Sequence, residues 1–367
     1  MRRLMLLGVL VVAALGGAAV GAVDRTARGA GSSVGRGAVI DTLVYSDGDL
    51  HTVRTDGSGQ RLLVRGAEGP AWSPDGRQIA FWSHKGGIWV IRSDGTGLRR
   101  LTKPLANSDS HAPCCGSDDH PSWSPDGKRI VFQRYWVAVL GNQIADYYDV
   151  MDVFTVDVRT RRLTRLTNTP DFQEFNPAWS PDGRRIAFVG GEGTDDGLWT
   201  LDLSTSKLTR LTHPSYSNPK IGAPHDEPDW SPDGTRIAYT LSRSSRGGAV
   251  AVMRSNGTGS RQIIQAPGHL GSPSWSPDGS HIAYYAFGSG EGANREPGWL
   301  MIARSDGTRS FRLVPDGSEP DWKPRTSNYT VPHFGAARSA TPLMRRARDS
   351  TTKNGQTYAV LWTLRSG

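Results

Sequence analysis

The chain has 367 residues, of which 37% are hydrophobic, and it contains 44 Gly, 23 Pro and 12 Trp. This composition favours short strands joined by tight turns over long helices. The formal charge of +8 lies in the flanks, with five arginines against Asp24 in residues 1–40 and eight Lys or Arg against Asp349 in residues 323–367. Because the body between them is mildly acidic, we expect no nucleic-acid partner.

The N-terminal segment has the features of an export signal. Arg2 and Arg3 precede an apolar run from Leu4 to Leu15, and small residues follow up to Ala22. This pattern predicts a signal peptide over residues 1–22. An uncleaved anchor is the alternative, because the uncharged stretch up to Val23 is about long enough to span a bilayer. The Gly, Ser and Arg content of residues 23–40 predicts a flexible spacer.

One pentapeptide, Trp-Ser-Pro-Asp-Gly, is repeated along the chain. It begins at Trp72, Trp123, Trp179, Trp230 and Trp275, and a degenerate sixth copy is Trp322-Lys323-Pro324. Repeats separated by about 50 residues are typical of four-stranded propeller blades. Ser, Pro, Asp and Gly also match the preferences of the four positions of a type I turn, so each copy predicts a tight turn.

A short apolar strand is predicted after each turn. The first is Ile79-Ala80-Phe81, and four similar tripeptides begin at Ile130, Ile186, Ile237 and Ile282. A third strand follows in each repeat, and then a hairpin turn. Hairpin dipeptides are present at Asp56-Gly57, Asp94-Gly95, Asn256-Gly257 and Asp306-Gly307. Longer polar loops lead instead to the outer strands that begin at Leu163 and Leu208.

The repeat is offset at its ends, because the chain opens with an apolar strand at Leu43 and closes with the Trp322 unit. Residues near 41–65 should therefore supply outer strands to a blade whose inner strand, near Glu319 to Lys323, comes last. We predict an all-β, six-bladed β-propeller of four-stranded blades over residues 41–324. Mixed N- and C-terminal strands should close its ring and hide the sheet edges.

The repeated Pro-x-Trp-Ser-Pro-Asp-Gly-x-x-Ile-Ala-Phe resembles the propeller of the TolB-like (PD40 or WD40-like repeat) family. The resemblance covers about residues 41–324 and implies a six-bladed propeller outside the cytoplasm that acts as a protein-binding platform. A full TolB carries an α/β domain before its propeller, whereas about 40 residues precede it here. We therefore carry over only the fold and the binding character. The expected location is periplasmic, secreted or at the cell surface.

An enzyme is the rival hypothesis, because similar propellers precede the hydrolase domain of prolyl-oligopeptidase-like peptidases. The pattern Gly31-Ser32-Ser33-Val34-Gly35 matches G-x-S-x-G, but no strand precedes it and no helix follows it. The roughly 45 residues after Trp322 are too few for a hydrolase domain. We predict no catalytic residue and no cofactor. A metal-assisted hydrolase or lyase on the propeller face is the alternative function.

The segment from His111 to His120 is rich in polar residues and contains the two cysteines, Cys114 and Cys115. His111, His120 and His225 are weak candidates for metal ligands. Adjacent cysteines seldom chelate one tetrahedral ion, so a disulfide between them, or two idle thiols, is the competing interpretation in an exported protein.

A further set of candidates surrounds the expected channel. The residues just before each Pro-x-Trp are Gly69, His120, Asn176, Glu227, Ser272 and Glu319. With Asp118, Asp119, Glu174, His225 and Asp226, they predict an acidic, histidine-containing rim that would bind a cation or a basic peptide segment. In the competing interpretation, these side chains satisfy backbone groups of the turns.

The C-terminal tail, residues 325–367, is basic around Met344 to Arg348 and predicts one strand from Tyr358 to Leu364. It is either a solvated arm with one strand laid against the ring or a contact for an anionic polymer or membrane. For the whole chain we predict a monomer that binds a protein or peptide on one propeller face. Membrane attachment is expected only if the N-terminal segment is retained.

Overall fold

The computed structural model describes residues 40–103, 116–139, 147–169, 172–191, 196–213, 223–243, 247–287, 298–325, 349–353 and 356–360, all within the unit Val39–Gly367. The strands, in chain order, are β1 (Thr42–Ser46), β2 (Asp49–Arg54), β3 (Arg61–Arg65), β4 (Ala67–Trp72), β5 (Gln78–Ser83), β6 (Ile88–Arg92), β7 (Arg99–Arg100), β8 (Ser117–Trp123), β9 (Arg129–Val139), β10 (Tyr147–Asp157), β11 (Leu163–Arg165), β12 (Gln173–Trp179) and β13 (Arg185–Gly191). They continue with β14 (Gly197–Asp202), β15 (Leu208–Arg210), β16 (Ala223–Trp230), β17 (Arg236–Arg243), β18 (Gly247–Arg254), β19 (Arg261–Ala266), β20 (Leu270–Trp275), β21 (His281–Ala286), β22 (Trp299–Arg304), β23 (Phe311–Pro315), β24 (Ser318–Trp322), β25 (Asp349–Lys353) and β26 (Gln356–Val360).

These strands form six four-stranded antiparallel sheets, which we number as blades 1 to 6. From the inner strand outward, they are β24-β1-β2-β3, then β4 to β7, β8 to β11, β12 to β15, β16 to β19 and β20 to β23. The predicted six-bladed propeller is therefore confirmed. Within the described residues, no helix has the length and hydropathy that a membrane span requires. In the tail, β26 pairs with β25 as a separate two-stranded sheet and includes the first residues of the predicted strand.

Blade 1 closes the ring by joining the two ends of the repeat. β24 pairs with β1 through Leu43 and Trp322, as the offset of the repeat predicted. Just beyond β24, Arg325 forms a bidentate ion pair with Asp41, with Nε 2.9 Å from Oδ1 and Nη2 2.6 Å from Oδ2. Arg325 Nη2 also lies 3.1 Å from Asp278 Oδ2, in the turn of blade 6. One guanidinium thus links the first strand, the last strand and the neighbouring blade.

The Trp-Ser-Pro-Asp-Gly turns all lie on one side of the ring. In blade 2 the Gly76 N–H donates to the Ser73 carbonyl at 2.8 Å, and Gly76 has a φ of 63°, which favours glycine. Ser73 Oγ donates to Asp75 Oδ1 at 2.6 Å, so the aspartate is used inside its own turn. The hairpins between third and fourth strands lie on the same side, which we call the turn face. The opposite side, from which the inner strands start, is the loop face.

Each seam between blades contains one tryptophan of the repeat. The six indoles are between 4% and 7% exposed: Trp72, Trp123, Trp179, Trp230, Trp275 and Trp322. Each packs against residues of the preceding blade; Trp230, for example, shares a cluster with Val189 and Leu198 of blade 4. Four seams add a cation over the ring: Arg129 over Trp179, Arg185 over Trp230, Arg236 over Trp275 and Lys323 over Trp72. The tryptophans thus join neighbouring blades.

Buried charges lie in two seams near the loop face. Between blades 2 and 3, Asp118 accepts hydrogen bonds from Arg134 Nε at 2.5 Å and Nη2 at 2.8 Å, and both side chains are buried. Between blades 3 and 4, Arg165 Nη2 donates to the buried Asp152 Oδ2 at 2.6 Å. Glu174 lies beside Asp152, and its Oε2 is buried without a hydrogen-bond partner among the described residues.

Asp152 and Glu174 are two neighbouring buried carboxyl groups with one nearby cation, Arg165, so ionising both of them is unfavourable. Desolvation, together with the charge of the neighbouring Asp152, raises the pKa of Glu174 to about 8. Desolvation also raises the pKa of Asp152 to about 6. The pair therefore retains a proton near neutral pH.

Replacing Arg325 should loosen ring closure. We expect Arg325→Ala to lower the free energy of unfolding by about 1 to 2 kcal/mol, because it removes a bidentate, partly buried, charge-assisted contact. Urea unfolding followed by tryptophan fluorescence measures this. Arg77→Ala, at an exposed arginine of the turn face, is the matched control and should change stability by less than about 0.5 kcal/mol. Equal effects of the two variants would contradict the closure role.

The buried Glu174 should make stability depend on pH. Its pKa in the folded chain lies above its ordinary 4.5, so the folded state binds the proton more tightly than the unfolded state. The contribution of Glu174 to stability is then full below about pH 4.5 and falls as the pH rises towards about 8, by at most about 5 kcal/mol. Glu174→Gln should remove most of this fall, as measured by urea unfolding across that range. Glu68→Gln, at a partly exposed side chain, should keep it. An unchanged pH profile in Glu174→Gln would contradict the assignment.

Candidate functional site

The inner strands of all six blades meet around a central channel. The channel encloses a cavity of about 250 Å³, lined by the x-Pro-x-Trp segments that precede the repeated turns. Its lining includes the six prolines Pro70, Pro121, Pro177, Pro228, Pro273 and Pro320. Since these segments occupy equivalent positions in the blades, each blade contributes its side chains at similar depths in the channel.

The residue before each of these prolines has a left-handed backbone. The φ values are 57° at Gly69, 51° at His120, 53° at Asn176, 54° at Glu227, 50° at Ser272 and 47° at Glu319. In blades 2 to 6, where the first two strands are consecutive in the chain, this residue lies in a β-bulge of the inner strand. Only blade 2 has glycine there. The other five blades carry polar side chains at a backbone cost of about 1 kcal/mol each, and all five line the cavity.

Two of these side chains bridge neighbouring blades. Glu319 Oε2 accepts hydrogen bonds from the Gly69 N–H at 2.7 Å and from Ser46 Oγ at 2.6 Å. Glu227 Oε2 accepts from the Ser272 N–H. These contacts support the structural interpretation for the two glutamates, because each satisfies a backbone group of the next blade. At the third such seam, the Asn176 N–H donates to Gln133 Oε1 at 2.7 Å.

Two further carboxyl groups lie in the channel lining, at the residue after the proline in blades 5 and 1. The Trp275 N–H donates to Asp229 Oδ2 at 2.7 Å, and the Trp72 N–H donates to Asp321 Oδ2 at 2.6 Å. Desolvation raises the pKa of both aspartates to about 7 and raises the pKa of Glu227 as well. These two aspartates are not among the rim residues predicted from the sequence. The available signal was the residue after proline, which is Asp in only two of the six copies.

The seams alternate between two hydrogen-bond patterns. In blades 2, 4 and 6, the backbone N–H of the repeat tryptophan donates to a side chain of the preceding blade, namely Asp321, Ser122 or Asp229. In blades 3, 5 and 1, the indole N–H of the repeat tryptophan donates instead to a backbone carbonyl of the preceding blade: Trp123 to Ala71, Trp230 to Ala178 and Trp322 to Ser274. The six-bladed ring therefore has an approximate threefold repeat around its channel.

His120 differs from the two glutamates in its contacts. Its Nε2 lies 3.9 Å from Glu319 Oε1, and its side chain is 31% exposed. Its Nδ1 is buried without a hydrogen-bond partner among the described residues. The adjacent Asp119 accepts from Ser117 Oγ at 2.6 Å, and desolvation raises its pKa. His120 is thus a polar channel residue that retains capacity for a further contact.

The remaining predicted rim residues lie elsewhere or are not fully described. Asp118 and Glu174 are buried in the blade seams described above and do not line the cavity. His225 and Asp226 belong to β16, but their side chains lie outside the described part of the chain. His111, Cys114 and Cys115 also fall outside the described residues, so their metal and disulfide predictions remain predictions.

The described residues contain no group of three His, Cys, Asp or Glu side chains arranged to hold a metal ion. Of the predicted ligands His111, His120 and His225, only His120 has a described side chain, and it lies near Glu319. The channel lining presents polar and acidic side chains to the cavity. Such a cavity can accept a basic or hydrogen-bonding segment of a partner.

Comparison with known proteins gives matches to propellers. Residues 143–324 match the TolB beta propeller domain, PD40. The chain is 29% identical over 150 residues, 40% of its length, to dipeptidyl-peptidase 5 of Porphyromonas gingivalis, of which the match covers 21%. It is 34% identical over 94 residues, 25% of its length, to the Tol-Pal system protein TolB of Francisella tularensis subsp. mediasiatica, of which the match covers 19%.

A solved structure with the same fold is TolB from Acinetobacter baumannii, with a TM-score of 0.57 and 23% identity over 78% of this chain and 67% of that one. The chain spans only about a fifth of the length of the curated relatives that it matches. The matches, the repeated turns and the six blades agree with the resemblance seen in the sequence. The chain therefore contains a TolB-like β-propeller of the PD40 type.

Proposed function

We propose that this chain is an exported, non-catalytic β-propeller that binds a protein or peptide partner outside the cytoplasm. The partner would contact the loop face and place a basic or hydrogen-bonding segment in the central channel. The signal-like residues 1–22 support export, and the resemblance to TolB supports a location in the envelope or outside the cell.

The left-handed backbone before each channel proline is the observation that carries this proposal. Glycine would adopt this conformation without strain, yet His120, Asn176 and Ser272 stand there with polar side chains. Local strain of this kind is concentrated where side chains are needed for function. Seam hydrogen bonds account for Glu227 and Glu319. Within the described part of the chain, the Nδ1 of His120 has no hydrogen-bond partner, and its Nε2 lies 3.9 Å from Glu319 Oε1.

Acidic groups in the lining favour a basic segment as the occupant. Glu227, Glu319, Asp229 and Asp321 all line the cavity, and burial raises the pKa of three of them. A Lys or Arg side chain entering the channel would favour their ionised forms and gain charge-assisted hydrogen bonds. An acidic segment would meet groups of the same sign.

A metal-assisted hydrolase or lyase is the alternative function, with ligands expected from His111, His120 and His225. Elemental analysis of purified protein decides between the two hypotheses. We expect less than one equivalent of transition metal and no change of thermal stability with a chelator. A stoichiometric, chelator-sensitive metal would contradict the binding-scaffold hypothesis and support the alternative.

The substitution His120→Asn tests the channel directly. Asparagine tolerates the left-handed backbone, as Asn176 does at the equivalent position, so we expect the variant to fold normally. Cross-linked pull-down from envelope and culture fluid identifies a partner with unmodified protein. The purified partner should then bind His120→Asn about tenfold more weakly, measured by calorimetry, because a channel hydrogen bond is lost.

The matched control is His281→Asn, a histidine substitution on the turn face. It should leave the dissociation constant unchanged. Repeated recovery of no partner would contradict the proposed function. A partner that binds the two variants equally well would exclude the channel as its site.

A further inference from the structure

Exposed apolar side chains are concentrated at the turn face. Six large apolar side chains are exposed among the described residues, and only Phe287 lies towards the loop face. The other five are 37% to 51% exposed and lie at the turn face, just before or at the start of β1 or of an outer strand: Ile40, Leu62, Leu98, Leu163 and Phe311. This distribution places apolar groups around the edge of a face built from tight turns.

Arginine occupies a glycine-favoured position in one hairpin of this face. Four equivalent hairpins share a hydrogen bond from an arginine N–H to the carbonyl four residues later. The next residue is left-handed in all four, and it is glycine in three, Gly59, Gly97 and Gly259, but Arg309 in blade 6. Arg309 is exposed and has a φ of 53°. The arginine thus accepts a strain that glycine avoids in the other hairpins.

A second strained arginine lies in blade 3, on the opposite side of the ring. Arg161 is exposed with a φ of 61°, whereas the equivalent hairpin of blade 4 has Ser206 with a φ of 58°. Arg161 is flanked by exposed Arg159 and Arg162, while Asp157 accepts hydrogen bonds within its own hairpin. The only acidic group of this hairpin is therefore engaged locally.

The positive charges are close enough to repel one another. Arg99 of blade 2 donates from Nη1 to the Val158 carbonyl at 2.9 Å, beside Arg161. Desolvation lowers the pKa of Arg99, and the charge of Arg161 lowers it further. An anionic surface would relieve this repulsion.

Both ends of the propeller also lie at the turn face. β1 starts there at Thr42, and β24 ends there at Trp322, followed by Lys323 and Arg325. In sequence, the segment joined to residue 40 contains Arg2, Arg3 and the apolar run, and the segment after Arg325 contains the basic cluster Met344 to Arg348. The flanks with most of the positive charge are thus connected to the same side of the ring.

We propose that the turn face lies against an anionic lipid bilayer. Arginines around the face contact the headgroups, and the exposed Leu62, Leu98, Leu163 and Phe311 enter the interfacial layer. A soluble polyanion would engage the arginines but leave these apolar side chains in water, so the combination fits a membrane surface. The loop face then points away from the bilayer and stays open to a partner.

Binding of the full-length chain to vesicles tests this proposal. The probe is phosphatidylcholine vesicles with or without phosphatidylglycerol, assayed by flotation. The double substitution Arg161→Gly and Arg309→Gly removes two charges at positions where glycine is the easier residue, so we expect the fold to be retained. We expect affinity for the anionic vesicles to fall about thirtyfold, because each basic residue near the surface contributes about fivefold.

Ser206→Gly is the matched control, because it relaxes the same hairpin geometry without changing charge. It should bind anionic vesicles as the unmodified chain does. Leu98→Ser should weaken binding to anionic vesicles but not to heparin, the soluble polyanion probe. All variants keep the N-terminal apolar run, so differences between them report on the turn face.

Three results would overturn the membrane assignment. The first is equal vesicle binding by the unmodified chain and the double arginine variant. The second is binding of the unmodified chain to heparin without binding to anionic vesicles. The third is equal affinity of the unmodified chain for neutral and anionic vesicles. The outcome is independent of the channel hypothesis, because His120→Asn changes a residue of the channel lining while the arginine substitutions change hairpins at the outer edge of the ring.

Discussion

The insertion of one tryptophan into each seam between blades is the contact on which the structure depends. The second strand of each blade is buried on both sides; Ile79, Ala80 and Phe81 are at most 1% exposed. A single blade would leave both of those surfaces in water, and only a closed ring covers them all. The indoles fill the seams, and their exposure of 4% to 7% shows how completely neighbouring blades enclose them.

The same seams organise the two faces and the channel. Carboxylates of one blade accept backbone N–H groups of the next, which fixes Glu227, Glu319, Asp229 and Asp321 around the axis. These four acidic groups are thereby held in the channel, whereas on the turn face exposed arginines stand beside aspartates, such as Asp94 and Asp306, that are hydrogen-bonded within their own hairpins. We infer from this separation that the propeller has two working surfaces of different chemistry, one for a basic segment and one for an anionic layer.

The repeat spacing predicted the blade count, the type I turns and the mixed closing blade, because these follow from local preferences and from counting. The position of the channel residues followed from the same spacing. The left-handed backbone of His120 did not, since a residue before proline normally prefers an extended conformation. Only pairing with the neighbouring strand and blade imposes the bulge there. The charge distribution was not predictable either. The sequence gives only a small net charge for the propeller, and the folded blades are needed to place Arg161 on an outer hairpin and Glu227 on an inner strand in the channel.

The closing blade also constrains when the protein can fold. Ser46 and Ser318 meet in blade 1, although 272 positions separate them in the chain. A polypeptide that emerges N-terminus first, from a ribosome or from a translocation pore, cannot complete this sheet until its last repeat has emerged. The ring is therefore a late product of biosynthesis, and the nascent chain lacks its closing strand for almost its whole length.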